Sequence, residues 1–311
     1  MATILGSTKH QPLWLLLLVF LLILSNAEPQ VPCYFIFGDS LSDVGIRLTG
    51  SIFLKDQPEV QLLDFEEFIP PFATSRGQDI LKGVNYASGS AGILNESGQQ
   101  VGDRISMNKQ LSNHQTIIST MAEMLRECSA SKLLRKCIYA VQIGSNDYIN
   151  NYFMPQYYNT SRLFTPHQYA AYLIQQYSRQ IKGVLQVQAH RMEQMAVCVE
   201  KLNRAAHLFN RRLLSLVNEL NSNLTDAKFT HLNPSGTSFA NSLGFTVANV
   251  SFCKIGSYGS LCVPGSKPCE DRSRYVFWDA VHPSDAWNEA TATQAYGSTA
   301  EEQPRCRWRH L

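Results

Sequence analysis

The stretch Phe35-Ile36-Phe37-Gly38-Asp39-Ser40-Leu41-Ser42-Asp43-Val44-Gly45 decides the fold. Tyr34 to Phe37 are consecutive apolar, mostly β-forming residues, which read as a short buried strand. The strand breaks at Gly-Asp-Ser, so Ser40 stands at a strand's carboxyl end. In open α/β sheets that is the end where ligands bind. A serine there is either a nucleophile or the cap of a following helix, and the choice rests on what the other strand ends carry.

Three further apolar runs end the same way. Val84 to Ala87 is a short strand that breaks into Ser88-Gly89-Ser90-Ala91-Gly92. Small residues of this kind form a tight turn, or bring backbone N–H groups close to a ligand. Cys137 to Ile143 is a stronger strand, ending at Gly144-Ser145-Asn146-Asp147. Tyr275 to Trp278 delivers Asp279-Ala280-Val281-His282-Pro283.

Helical periods fill the chain between them. Ile105, Met107, Leu111, Ile117, Ile118, Met121, Met124 and Leu125 recur at three- and four-residue steps. Thr165-Pro166 is a cap followed by proline at the first helical position, opening a helix from His167 to about 189. Val199 to Leu220 is amphipathic, with Arg204, Arg211 and Arg212 on its solvated side. Ala227 to Leu232 reads as a short strand, and 233–274 as loop. Strands alternating with helices predict parallel βαβ units in an α/β fold.

Residues 1–27 read as a secretory signal peptide, with an unbroken apolar run from Leu13 to Leu24 and small residues before Glu28. The run is about 12 residues, too short to span a bilayer, and no later stretch is long and apolar enough. Residues 28–311 then form a single domain. The net charge of +2 and the lack of a basic run exclude nucleic acid as an expected partner. Eight cysteines follow the signal segment, and in a secreted chain they read as disulfides. Cys128 and Cys137 are placed to close a small loop; Cys253, Cys262 and Cys269 share one loop, leaving one to pair elsewhere or stay free. Four sequons, at Asn95, Asn159, Asn223 and Asn249, are expected glycan acceptors.

Of the eight histidines, His10 lies in the signal and His310 at the tail. His114, His167, His190 and His207 fall on helices, where exposure is the default, and His231 ends a short strand. Only His282 follows an acid by three residues at the end of an apolar run. In a tight turn such an acid can accept the Nδ1 proton and leave Nε2 to take a proton from serine. Ester hydrolysis needs a nucleophile, a base oriented by an acid, and donors for the oxyanion, and the four strand ends carry all of these. A parallel sheet is expected to bring them to one edge.

These four segments, in this order, resemble the plant secreted GDSL esterase/lipase family of the SGNH hydrolase superfamily. The likeness also runs through 69–180 and 198–234. It implies a flavodoxin-like three-layer α/β/α sandwich with a mostly parallel sheet. It implies Ser40 as nucleophile, His282 as base and Asp279 as its orienting acid. The oxyanion hole would use the Ser40 N–H, the Gly89 N–H and the Asn146 side-chain amide. Reaction would pass through an acyl-enzyme, with no cofactor and no metal, on carboxylic esters including lipids. An acyltransferase would use the same residues, and a catalytically impaired glycoprotein would share the fold.

The chain departs from the family pattern near 46–62, 182–198 and 284–311. After Gly45 the usual long Gly/Pro/aromatic segment is short, leaving open what covers that face of the sheet. Between Ile181 and Val199 no strand ending in Gly-Cys-x-Pro is found; only Val184 to Val187 is strand-like, and Cys198 loses its usual partner. Beyond Pro283 the chain is polar, with no apolar stripe for a closing helix.

Overall fold

A computed structural model describes residues 29–43, 61–65, 67–185, 191–193, 200–224, 227–232, 240, 243–256, 261–263, 265, 266, 269 and 271–302. The expected signal peptide, most of the 46–62 departure, Cys198 and Cys306 lie outside the described residues.

Strands β1 (Tyr34–Gly38), β2 (Ile138–Gln142), β3 (Arg191–Glu193) and β4 (Thr230–Leu232) form one parallel sheet in that order. The segment around Asn85 lies on the other side of β1. Tyr34 and Ile36 donate their N–H groups to the carbonyls of Lys82 and Val84, and Tyr86 and Ser88 donate back to Ile36 and Gly38. The chain therefore runs outward from β1 in one direction, then returns to build β2 to β4 in the other. Ser40, just past β1, stands where the strand order reverses, which is where such sheets bind ligands.

Helices α1 (Met107–Leu125), α2 (Glu127–Leu134), α3 (Pro166–Leu185) and α4 (Glu200–Asn223) pack on one face. Period-2 alternation sends Cys33, Phe35 and Phe37 to that face, where they join Tyr139, Val141, Met121, Leu173 and Phe209 in one core. Thr165 and Gln168 cap α3 reciprocally: Gln168 N–H donates to Thr165 Oγ1, and Thr165 N–H to Gln168 Oε1. The opposite face of β1 presents Tyr34 and Ile36, and these are covered by Leu63, Phe65 and Ile69. A short apolar segment thus shields the face left open by the shortened chain after Gly45.

Several expectations need correction. The sheet is not broken after β2, because Arg191–Glu193 bridges β2 and β4, pairing with both. Val184 and Leu185 belong to α3 instead of a strand, and 186–187 lie outside the described residues. Three residues suffice because what a central strand must supply is backbone donors and acceptors for its neighbours, and side-chain pattern is secondary. The chain beyond Pro283 forms helix α5 (Asp285–Glu302), anchored by buried Trp287 and Ala292. Trp287 meets Phe245 edge-on at 5.3 Å, so one large ring does the work of an apolar stripe. The 233–274 region contains a strand, β5 (Val247–Ser251), which pairs in parallel with β6 (Tyr275–Phe277) in a separate two-stranded sheet.

The cysteines also pair differently. Cys33 joins Cys137, clamping the starts of β1 and β2, and Cys128 is free and exposed. Parallel pairing places Cys33 beside Cys137, since Ile138 N–H donates to the Cys33 carbonyl at 3.0 Å. Cys253 joins Cys262, leaving Cys269 free and exposed. His114 is buried, contrary to the default for a helical histidine; its Nδ1 lies 3.0 Å from the Tyr86 hydroxyl. Asn95, Asn159 and Asn223 are exposed. Among the described residues no helix is long and apolar enough to cross a membrane.

Candidate active site

The turn after β1 is tightly constrained. A Cβ on Gly38 would lie 2.6 Å from the Gln142 carbonyl oxygen, so only glycine fits there. The side chain of Gln110, fully buried on α1, binds Gly38 from both sides. Gly38 N–H donates to Gln110 Oε1 at 2.9 Å, and Gln110 Nε2 donates to the Gly38 carbonyl at 2.7 Å. Asp39 N–H donates to the Gln142 carbonyl, Leu41 N–H to Asp39 Oδ1 and Ser42 N–H to the Asp39 carbonyl. These bonds fix the backbone on both sides of Ser40.

His282 comes from the second sheet and not from the edge of the first, correcting the expectation of one shared edge. A turn after β6 carries it, closed by Trp278 N–H donating to the His282 carbonyl at 2.9 Å. Beneath this turn Phe252 packs on Trp278 at 4.4 Å, and the Cys253–Cys262 bridge ties down the adjoining loop. Within it Asp279 is the organiser. Its Oδ1 accepts the N–H groups of Val281 and His282 at 2.8 and 2.7 Å, and its Oδ2 lies 2.7 Å from His282 Nδ1. Across 242 residues of chain, His282 Nε2 lies 2.9 Å from Ser40 Oγ. The histidine side chain is 12% exposed and that of Asp279 3%, so the pair is largely shielded from water.

Asn146 sits in the short helical turn Ser145–Asp147 and is buried. Its Nδ2 donates to the Ala91 carbonyl at 2.9 Å, and its Oδ1 accepts from Asn150 Nδ2 at 2.6 Å. One Nδ2 hydrogen remains, since a primary amide carries two. Gly89 lies in the turn beside Ser40, but its N–H already has a partner: it donates to Asp43 Oδ2 at 2.9 Å.

Two buried acids stand close to these groups, and sequence reasoning did not single them out. Asp39 is almost fully buried, and burial pushes its carboxyl up to about 7; the Leu41 N–H and the neighbouring His282 pull the other way. Among the described residues its Oδ2 has no hydrogen-bond partner. Asp147 accepts the N–H groups of Ile93 and Leu94 and the Ser97 hydroxyl, at 2.8, 3.0 and 2.7 Å. Burial still raises it to about 6 against those bonds. Gly92 allows this closeness, since a Cβ there would meet Asp147 Oδ1 at 2.8 Å. Asp147 thus holds the 91–97 segment against Asn146. The only sequence signal was position: both acids directly adjoin a candidate residue at a strand end.

Comparison with known proteins identifies the family. The family model described as GDSL-like lipase/acylhydrolase matches residues 34–295. A GDSL esterase/lipase of Arabidopsis thaliana is 40% identical over 340 positions, covering 92% of this chain and 93% of its own length. A second is 39% identical with the same coverage, and a third is 38% identical over 323 positions, covering 87% and 89%. The first alignment is longer than the 311 residues of this chain, so that relative carries segments this chain lacks. On the family match and on relatives of this similarity, the chain belongs to the plant GDSL esterase/lipase family, whose members are carboxylic ester hydrolases.

Proposed function

We propose that the chain is a secreted hydrolase of lipid esters, working through Ser40, His282 and Asp279. The observation that carries this is the continuous chain of contacts from Asp279 Oδ2 through the imidazole to Ser40 Oγ, at 2.7 and 2.9 Å. Asp279 accepts the Nδ1 proton and fixes the tautomer, leaving the Nε2 lone pair facing the serine hydroxyl. Nε2 takes the proton as Oγ attacks the ester carbonyl. The imidazolium formed is stabilised by the buried carboxylate on its far side. Collapse of the tetrahedral intermediate returns that proton to the departing alcohol and leaves an acyl-Ser40 ester. Water repeats the sequence, giving up a proton to His282 and releasing the acid.

Charge on the carbonyl oxygen is met by fixed donors. The Ser40 N–H is one and the remaining Asn146 Nδ2 hydrogen another, with a third from the turn that carries Gly89. The apolar run and small residues of 1–27 support secretion, and the sequons at Asn95, Asn159, Asn223 and Asn249 support glycosylation. A lipid substrate draws support from the exposed apolar side chains of Val101, Tyr157 and Leu163, the first and last at the ends of short helical turns.

The test compares the purified glycoprotein with Ser40→Ala on aryl esters of short and long acyl chains. The expected result is hydrolysis by the native chain, faster on the longer chains, and loss of about 10³-fold or more in Ser40→Ala. Equal rates in the two proteins reject the Ser40 assignment. A preference for acetyl esters rejects the lipid assignment alone.

A further inference from the structure

The turn 88–91, bonded through Ser88 N–H to the Gly38 carbonyl two residues before Ser40, contains two adjacent backbone donors, and the structure treats them differently. Ala91 N–H donates to the Ser88 carbonyl at 3.1 Å, closing the four-residue turn Ser88-Gly89-Ser90-Ala91. Positive φ falls on Ser90 (61°) and not on Gly89. That is the pattern of a type II turn, whose third position ordinarily holds glycine or asparagine. A serine there carries backbone strain that glycine would not. The glycine sits one residue earlier, where the conformation does not demand it.

The donors diverge in the same way. Gly89 N–H is held by the Asp43 carboxylate at 2.9 Å. A developing oxyanion cannot share that hydrogen, and it would also face a carboxylate of like charge. Ser90 N–H has no partner among the described residues. In a type II turn the central peptide is turned over relative to type I, so the Ser90 N–H does not follow that of Gly89 toward Asp43.

The surrounding contacts hold Ser90 in place and tie it to Asn146. A Cβ on Gly98 would lie 2.2 Å from the Ser90 carbonyl oxygen, so glycine lets that strand of chain press directly on Ser90. Gly98 N–H donates to the Asn150 carbonyl, and Asn150 Nδ2 donates to Asn146 Oδ1. Asn146 in turn donates to the Ala91 carbonyl, one residue beyond Ser90. On the other side, Ser88 N–H donates to the Gly38 carbonyl, two residues before Ser40. The turn is therefore fixed at both ends between two groups assigned to the oxyanion.

We propose that the third oxyanion donor is the Ser90 N–H, and that Asp43 is the positioning residue that aims it by occupying the Gly89 N–H. The assignment rests on Ser40 as the nucleophile. Asp43 then acts before any substrate arrives: it takes the competing donor out of use and sets the tilt of the turn.

The experiment measures kcat and KM on a short-chain aryl ester, together with the affinity of a trifluoromethyl ketone of the same chain length. Such a ketone forms a hemiketal oxyanion on the nucleophile and reports on the donors directly. Asp43→Ala is expected to lower kcat about 10- to 100-fold, to leave KM within about twofold, and to weaken the ketone by the same factor as kcat. Asp43→Asn is expected to recover most of that loss, since its Oδ1 still accepts the Gly89 N–H. A kcat that is unchanged or raised in Asp43→Ala overturns the proposal, because a released Gly89 N–H would then be the donor or neither would be. A second probe does not depend on how Asp43→Ala folds: replacing the Ser90 residue by its α-hydroxy acid analogue deletes that N–H alone. It is expected to lower kcat about 100-fold, and an undiminished kcat overturns the proposal. Should Ser40→Ala keep the native rate, the nucleophile assignment fails first and this one with it.

Discussion

His282 Nδ1 lies 2.7 Å from Asp279 Oδ2, within a turn whose own N–H groups at 281 and 282 are held by the other oxygen of that carboxylate. One side chain therefore shapes the loop and fixes the imidazole. Asp279→Asn separates these tasks. Its Oδ1 can keep the two backbone bonds, while an amide facing Nδ1 favours the tautomer with the proton on Nε2. We expect kcat to fall about 10³- to 10⁴-fold with little change in melting temperature. Steady-state kinetics and a thermal melt on the same sample check it, and a kcat within tenfold of native would remove Asp279 from the proposed triad.

Asp39 makes stability depend on pH in an unusual direction. Its carboxyl stands at 3.8 when unfolded and is pushed up to about 7 by burial in the fold. Below both values it is protonated in both states and costs nothing. Between them the folded chain keeps a proton that the unfolded chain has lost, so stability falls as pH rises, and the full cost is present above about 7. That cost is on the order of 4 kcal/mol. Asp39→Asn removes it, so its stability relative to native should improve steadily from pH 4 to pH 8. Denaturant unfolding of both proteins across this range tests the claim; a constant difference between them would show that Asp39 is not held protonated by the fold.

How far this site could be read before the fold was known depended on how each residue acts. Ser40, Asn146, Asp279 and His282 were visible because each ends an apolar run, and a strand end is a feature of local sequence. Asp43, Asp147 and Gln110 were not, because they bind backbone groups far away in the chain, and Asp39 was not, because its burial comes from the fold and not from its neighbours in sequence. Gln110 binds Gly38 across 72 residues, and nothing near either position signals it. Strand β3 was missed because Arg-Met-Glu has no strand pattern; its place comes from the open edges of its neighbours. Helix α5 was missed because its hold on the fold comes chiefly from one tryptophan and not from a repeat.

Asp147 offers a third prediction, because its two oxygens serve three donors. Asparagine at that position keeps one acceptor and turns an amide hydrogen toward an N–H or hydroxyl that is itself a donor. The loss is expected to be about 2–4 kcal/mol of stability. Because the 91–97 segment also carries the carbonyl that holds Asn146, kcat should fall well below native even at temperatures where the variant is folded. Urea unfolding and kinetics at reduced temperature check both parts. Native stability in Asp147→Asn would mean that the three bonds contribute nothing net.

The Cys33–Cys137 bridge leads to the last prediction. It spans 104 residues of sequence and joins the two strands whose far ends carry Ser40 and Asn146. In the unfolded chain a closed loop of that size removes much conformational freedom, worth about 4–5 kcal/mol on the chain-entropy view. In the folded chain the same strands are already fixed by their ladder, running in register from Tyr34 opposite Ile138 to Gly38 opposite Gln142. The bridge should therefore matter for stability far more than for the geometry of the site. Replacing both cysteines by alanine is expected to lower the melting temperature by about 5–10 °C. Below that melt, kcat and KM should stay within about threefold of native. A large loss of kcat in the fully folded double variant would instead mean that the bridge sets the relative height of the two strand ends, and that the ladder alone does not.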